Sequence, residues 1–185
     1  MSKLINLFCK GVSIKVSYKI IVVDDEPANL RVLERLFRRE YEVITAESGE
    51  EALCLLDQHD AALLITDQRM PGMTGVELLK HTATIRPHMV RIILTGYTDV
   101  ETLVEAINSS LVYKYVTKPW NNEDLRLTVS RALEHYETIK ARHDLQMTNQ
   151  RLVARLQEIQ QLAASNEDGL LELAQPHTYA SIRSR

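Results

Sequence analysis

Short apolar runs alternate along residues 19–136 with stretches in which apolar side chains recur every three or four positions. The runs at 19–23, 42–46, 61–66, 90–94 and 112–117 are rich in Val and Ile, and their lengths predict five strands. Helical spacing fills the intervals. One predicted helix opens at Pro27, a residue suited to the first helical position, and carries Leu30, Leu33, Leu36 and Phe37 on one face. A second is capped by Ser48, with Glu51 completing a capping box and Ala52, Leu53, Leu55 and Leu56 as its buried side. A third starts near Thr74, carries Val76, Leu78, Leu79 and Ile85, and is stopped by Pro87. A fourth covers about 100–110, with Leu103, Val104, Ala106 and Ile107.

Strands and helices in strict alternation imply βαβ units. The predicted fold class is α/β: a flavodoxin-like, doubly wound, five-stranded parallel sheet of order 2-1-3-4-5. An extended C-terminal helix follows it. From Glu123 to about Ala164 there is no Pro and no Gly. Leu125, Val129, Ala132, Leu133 and Tyr136 can pack on the sheet. Farther on, Leu145, Asn149, Leu152, Leu156, Ile159 and Ala163 keep a 4-3 spacing, the seam of a coiled coil. Asn149 at an a position would fix a two-stranded register at some cost in stability. A solvent-exposed amphipathic helix is the alternative for so short a seam. The expected organisation is a disordered leader at 1–17, a domain at 18–136, the extended helix at 137–164 and a flexible tail at 165–185. The leader's Leu4-Ile5-Asn6-Leu7-Phe8 is too short for a secretory signal, and Lys10 interrupts it.

Composition narrows the function classes. A net charge of −3 gives no basic field for nucleic acid. Cys9 and Cys54 lie far apart and suit neither a disulfide framework nor a zinc site, so a reducing cytoplasm is expected. No run approaches the roughly 20 apolar residues of a membrane span.

The chemistry gathers where the predicted strands end. The first runs into Asp24-Asp25-Glu26, the third into Asp67-Gln68-Arg69-Met70-Pro71-Gly72, the fourth into Thr95-Gly96 and the fifth into Lys118-Pro119. In a parallel sheet these ends share one rim, where open α/β folds place ligands. Asp24, Asp25 and Asp67 supply hard oxygens suited to Mg²⁺. Without a cation three crowded carboxylates would repel one another. A carboxylate can serve as a phosphoryl nucleophile, which makes Asp67 a candidate phosphoacceptor. Lys118 can neutralise one phosphoryl oxygen and Thr95 can donate to another. Taken singly these residues are ordinary turn formers or caps; their order along the chain is what makes them a set.

That set resembles the receiver domain of two-component response regulators. The resemblance rests on Val22-Val23-Asp24-Asp25-Glu26-Pro27, on residues 67–75, on Leu94-Thr95-Gly96 and on Lys118-Pro119-Trp120, and it covers about 19–136. It implies Asp67 as phosphoacceptor from a sensor histidine kinase or phosphotransfer protein. It also implies Asp25 and Asp67 as direct Mg²⁺ ligands, Asp24 mostly through water, and the Arg69 backbone carbonyl as a further ligand. Thr95 and Tyr115 become switch residues, Tyr115 matching the family's rotating aromatic, and the surface around the 100–110 helix and the fifth strand would change. Arg69 and Tyr97, two places beyond Asp67 and Thr95, would tune phosphoryl lifetime. No motif residue departs from the family pattern. The stretches around Tyr97 and 113–120 are similar to receivers that precede HD-type phosphodiesterase, histidine kinase or NtrC-type output domains.

Gly72 is expected to take a positive φ and Trp120 to pack near the start of the last helix. His135 and His143 lack a neighbouring ligand at metal spacing. The expected assembly is a homodimer through the C-terminal helix, with no membrane contact and no enzymatic turnover beyond self-catalysed phosphotransfer and dephosphorylation. The roughly twenty residues after Ala164 are too few for a helix-turn-helix module, so direct DNA binding is not expected. The alternative is a Mg²⁺-dependent phosphohydrolase acting on exogenous esters through Asp67. Haloacid-dehalogenase-type phosphatases resemble a first-strand Asp-x-Asp pattern, whereas here the nucleophile ends the third strand. A flavin carrier on this fold is set aside, because Asp24-Asp25-Glu26 would repel the phosphate.

Overall fold

The computed structural model describes residues 18–96 and 111–173, with the helical backbone alone from 162 to 173. The leader, Tyr97, the helix expected at 100–110 and residues from 174 onward lie outside the described residues. The strands are β1 (Lys19–Val23), β2 (Glu42–Ala46), β3 (Leu63–Asp67), β4 (Val90–Thr95) and β5 (Lys114–Thr117). The described helices are α1 (Pro27–Phe37), α2 (Gly49–Gln58), α3 (Gly75–Ile85) and α4 (Asn122–Leu173). All strand pairs are parallel, in the expected order β2-β1-β3-β4-β5.

Successive side chains of a strand point to opposite faces, so each central strand feeds two cores. Ile20, Val22, Leu63, Ile65, Ile92 and Leu94 pack with α1 and with Leu125, Val129, Ala132, Leu133 and Tyr136 of α4. Ile21, Val23, Leu64 and Ile93 pack on the other side with Ala52 and Leu56 of α2 and Val76, Leu78 and Leu79 of α3. Burial on both faces explains why these strands read as unbroken apolar runs.

Several boundaries and contacts differ from the expectation. The third strand starts two residues later and ends on Asp67, because β4 pairing continues to Asp67 opposite Leu94. The fifth strand begins at Lys114 rather than 112. At α2 the Ser48 hydroxyl accepts the Glu51 N–H, but the Glu51 carboxylate accepts from the Glu47 N–H, so the box is displaced by one residue. A complete capping box stands instead at Thr74 and Glu77 of α3. Leu53 and Leu55 are half-buried. Ile85 is 44% exposed and lines an open groove with Leu53. The last helix does not fray after Ala164 but continues to Leu173.

Arg91 lies within β4 yet is 7% exposed and closes the end of α3. Its guanidinium donates to the Thr82 hydroxyl at 3.1 Å, the Thr82 carbonyl at 2.9 Å and the Arg86 carbonyl at 2.5 Å. The Thr82 carbonyl also accepts the Arg86 N–H and the Arg86 carbonyl the Met89 N–H, so Arg91 uses their second lone pairs at the end of the helix. Burial lowers the Arg91 pKa to about 10, which leaves it charged at neutral pH. Lysine cannot reproduce this planar fork. Arg91→Lys should therefore cost about 1–3 kcal/mol in urea unfolding, and an unchanged midpoint would refute the capping role.

By internal contacts the chain separates into two compact units, Met1–Lys140 and Ala141–Arg185. In the second, Leu145, Leu152, Leu156 and Ile159 are 62%, 57%, 60% and 54% exposed. Asn149 is exposed as well, and the side chain of Ala163 lies outside the described residues. No helix among the described residues is long and apolar enough to cross a membrane.

Candidate functional site

The rim at the carboxyl ends of the strands is built by backbone pairing. Asp24 follows β1, and its N–H donates to the Ala46 carbonyl of β2. Asp67 and Thr95 are the last residues of β3 and β4. Lys118 follows β5, where its N–H donates to the Thr95 carbonyl at 2.7 Å. β5 lies two strands from β3, about 10 Å at ordinary sheet spacing, so only a long side chain can cross β4 to reach the acids.

Lys118 makes that crossing. Its Nζ lies 2.6 Å from Asp67 Oδ1 and 2.9 Å from Asp24 Oδ2. Asp24 is wholly buried and Asp67 is 6% exposed. Burial alone would lower the Lys118 pKa, but hydrogen bonds and charge from Asp67 and Asp24 outweigh it and raise the value above the ordinary lysine range. The other Asp67 oxygen, Oδ2, accepts the Arg69 N–H at 2.7 Å. Asp24 Oδ1 accepts the Glu26 N–H at 2.9 Å. The side-chain amide of Asn29 donates to both Asp24 oxygens, at 3.0 and 3.1 Å.

Asp24, Asp67, Lys118 and the Arg69 backbone are thus brought together. Thr95 is buried at the same rim, and its hydroxyl donates to the Gly96 carbonyl at 3.0 Å. Asp25 is adjacent with its side chain exposed. Tyr115 is 48% exposed on β5. Trp120 packs against the α1-side core, and Gly72 has φ +79°, both as expected. His135 stacks against Tyr113 with ring centroids 5.2 Å apart. Among the described residues, no three His, Cys, Asp or Glu side chains gather as a finished metal cage. The donor set still suits Mg²⁺, which needs only one or two carboxylates beside water and phosphate oxygen. Lys118 shows that a positive charge is accommodated between Asp24 and Asp67.

Three contributors escaped sequence reasoning. Asn29 holds Asp24 from the first turn of α1. Gln68 is 5% exposed beside Asp67. Asn121 caps α4, its side-chain oxygen accepting the Glu123 and Asp124 N–H groups. Only Asn121 left a readable signal, an N-cap residue ahead of an acidic first turn.

A profile of the response regulator receiver domain matches residues 20–130. The hydrogenase transcriptional regulatory protein HoxA of Cupriavidus necator is 37% identical over 148 residues, covering 79% of this chain and 31% of that protein. The chain spans roughly a third of the length of such curated relatives. A receiver domain from Clostridium thermocellum superposes with a TM-score of 0.63 at 31% identity, covering 66% of this chain and 98% of that one. The response regulator TrrA of Thermotoga maritima, solved in complex with Mg²⁺ and BeF, gives a TM-score of 0.56 at 32% identity, covering 62% of this chain and 98% of that one. With the sheet order, the acid pair held by Lys118 and a profile match over more than half its length, the chain belongs to the response regulator receiver domain family.

Proposed function

We propose that Asp67 accepts a phosphoryl group from a phosphohistidine of a sensor kinase or phosphotransfer protein, in a Mg²⁺-dependent step. The observation that carries this reading is the Lys118 ammonium held by Asp24 and Asp67 at the sheet rim. A carboxylate oxygen of Asp67 attacks phosphorus in line. The new P–O bond forms as the P–N bond breaks, and the imidazole nitrogen leaves with the electron pair. The Arg69 N–H holds Asp67 Oδ2 and fixes the carboxylate's orientation. Lys118 neutralises a phosphoryl oxygen and the Thr95 hydroxyl donates to another. Asp25, Asp67 and the Arg69 carbonyl, with Asp24 mostly through water, would hold Mg²⁺, which would supply charge neutralisation. Attack by water on phosphorus returns Asp67 and releases inorganic phosphate.

Phosphorylation replaces the single charge of the Asp67 carboxylate with a phosphoryl group carrying about −1.5 to −2 and adds new acceptor oxygens. In this reading Thr95 turns toward that charge and Tyr115 moves into the space released, which alters the surface beside β5. The seam from Leu145 through Asn149, Leu152, Leu156 and Ile159 to Ala163 pairs two copies of the chain. Its support is the 4-3 spacing along a single helix and the exposure of Leu145, Leu152, Leu156 and Ile159, each more than half.

Acetyl phosphate with Mg²⁺ should add one phosphoryl group to the wild type by intact mass and none to Asp67→Asn. Chelation should abolish the gain. Equal labelling of both proteins would move the acceptor elsewhere, and steady turnover of phosphate esters would favour the phosphohydrolase. In sedimentation velocity, the wild type with Mg²⁺ and beryllofluoride should run as a dimer and Leu156→Lys as a monomer. A monomeric wild type under every condition would remove the seam from the proposal.

A further inference from the structure

We infer that Gln68 is a positioning residue for phosphoryl transfer, closing the 69–74 loop onto α3 and so holding the Arg69 backbone against Asp67. Three of its groups are engaged. Its N–H donates to the Leu94 carbonyl at 3.0 Å and extends the β3–β4 pairing past the phosphoacceptor. Its backbone carbonyl accepts the Gly75 N–H at 3.1 Å. Its side-chain Oε1 accepts the Val76 N–H at 3.2 Å. Gln68 is 5% exposed and Val76 3%, so water is a poor substitute for this last bond.

The first four N–H groups of a helix have no partner within it. In α3 these belong to Thr74, Gly75, Val76 and Glu77. Gly75 and Val76 donate to Gln68, while Glu77 donates to the Thr74 hydroxyl and the Thr74 N–H to the Glu77 carboxylate. The two partners do different work. Thr74 adjoins the helix and caps it locally. Gln68 stands at the far end of the loop, so its two bonds tie the loop's beginning to its end and make residues 69–74 a closed ring.

Arg69 is the first residue inside that ring. Its N–H fixes Asp67 Oδ2 at 2.7 Å, and in the reading above its carbonyl faces the metal. A six-residue loop held only at the backbone would let that peptide plane rock. The side-chain bond adds a second closure on the same residue and pins the plane. The clamp is observed in the structure; its consequence for phosphoryl transfer rests on the phosphoacceptor reading.

Gln68→Met keeps the length and burial of the side chain and removes the acceptor. Thr74→Ala removes a cap from the same helix and leaves both Gln68 closures in place, so it controls for loss of helix stability. Three readouts apply well below the unfolding temperature: metal-free amide exchange at Arg69, Mg²⁺ affinity from Trp120 fluorescence, and the initial rate with acetyl phosphate. Gln68→Met should speed Arg69 exchange and weaken Mg²⁺ binding about tenfold, as loss of a supporting contact behind a metal ligand does. The acetyl phosphate rate should fall with it at limiting Mg²⁺. Thr74→Ala should change Mg²⁺ affinity less than about twofold, since it stands behind no ligand. Unchanged Arg69 exchange in Gln68→Met, or equal shifts in Mg²⁺ affinity for the two variants, would overturn the inference. Should the wild type neither bind Mg²⁺ nor take a phosphoryl group, the phosphoacceptor reading fails, while metal-free exchange still decides whether the clamp exists.

Discussion

Gly75→Ala should destabilise the fold by about 2–3 kcal/mol and slow phosphorylation of Asp67 at least tenfold, although alanine is the better helix former. A Cβ on Gly75 would sit 2.3 Å from the Asp67 backbone carbonyl oxygen and 3.1 Å from Gln68 Cα. Both obstacles are backbone at the end of β3, so relief requires moving Asp67 or lifting α3 off the sheet. Helix propensity offers alanine only about 1 kcal/mol in return. Gly49→Ala is the informative comparison, because its added Cβ would meet the Met73 side chain, at 2.8 Å from Sδ and 2.9 Å from Cβ. The Met73 Sδ can turn away, but its Cβ moves only with the 69–74 loop, so that variant should lose about 1–2 kcal/mol. Urea unfolding and acetyl phosphate labelling of the two variants test the difference. A Gly75→Ala protein as stable and as reactive as wild type would mean that α3 is free to shift.

Lys118→Met should be costly in the absence of metal and regain stability in its presence. Removing one member of a buried ionic set costs about 3–5 kcal/mol. With a quarter of the Lys118 side chain exposed to solvent, a loss of about 2–3 kcal/mol is expected. Asp24 and Asp67 would then face each other with no ammonium between them. If the proposed Mg²⁺ site is formed only in the folded protein, Mg²⁺ should raise the variant's urea midpoint through mass action and by more than it raises the wild type's. The pH dependence follows from the raised Lys118 pKa. The stabilisation is fully present below the unfolded value of 10.5 and is lost as pH rises through the higher folded value. The gap between wild type and Lys118→Met should therefore stay level from pH 7 to 9 where Lys118 is concerned, and close only in strong alkali. A gap that closed near neutrality would assign the stabilisation to another group.

The fold was legible because its central strands are buried on both faces and its helices on one. The 20–23 run and the α1 stripe encode those two environments in periods that a reader can separate. Site residues at strand ends were legible for a related reason: a charged or hydroxyl residue after four apolar ones has few other places to go. What resisted reading was partner choice. Glu51 could close its box on Ser48 or on Glu47, and both are within its reach. Ile85 fits the period of α3, but it lies in the last turn, where the helix opens to solvent. Gln68 and Asn29 are polar residues whose value depends on contacts with α3 and Asp24 in the folded rim, and neither marks the sequence. The end of α4 was hidden because Ser165-Asn166-Glu167-Asp168-Gly169 is a weak helix former alone, yet it lies between an established helix and Leu170.

The Lys118–Asp24 bond joins residues 94 positions apart, which has a consequence during synthesis. Ribosomes extend chains at about 5–20 residues per second, so about 5–20 s separate the emergence of the acid from that of its counter-ion. For the last 51 residues of that interval, about 2.5–10 s after Asp67 has emerged, β1 and β3 can be exposed together, with Asp24 and Asp67 lacking the cation that later joins them. Mg²⁺ supplied during translation is available from the start. A nascent chain stalled before β5 should therefore be more protease-resistant with Mg²⁺ than without it, and one stalled well beyond α4's first turns should respond less. The metal proposed for signalling would then also serve as a temporary stand-in for a residue not yet made.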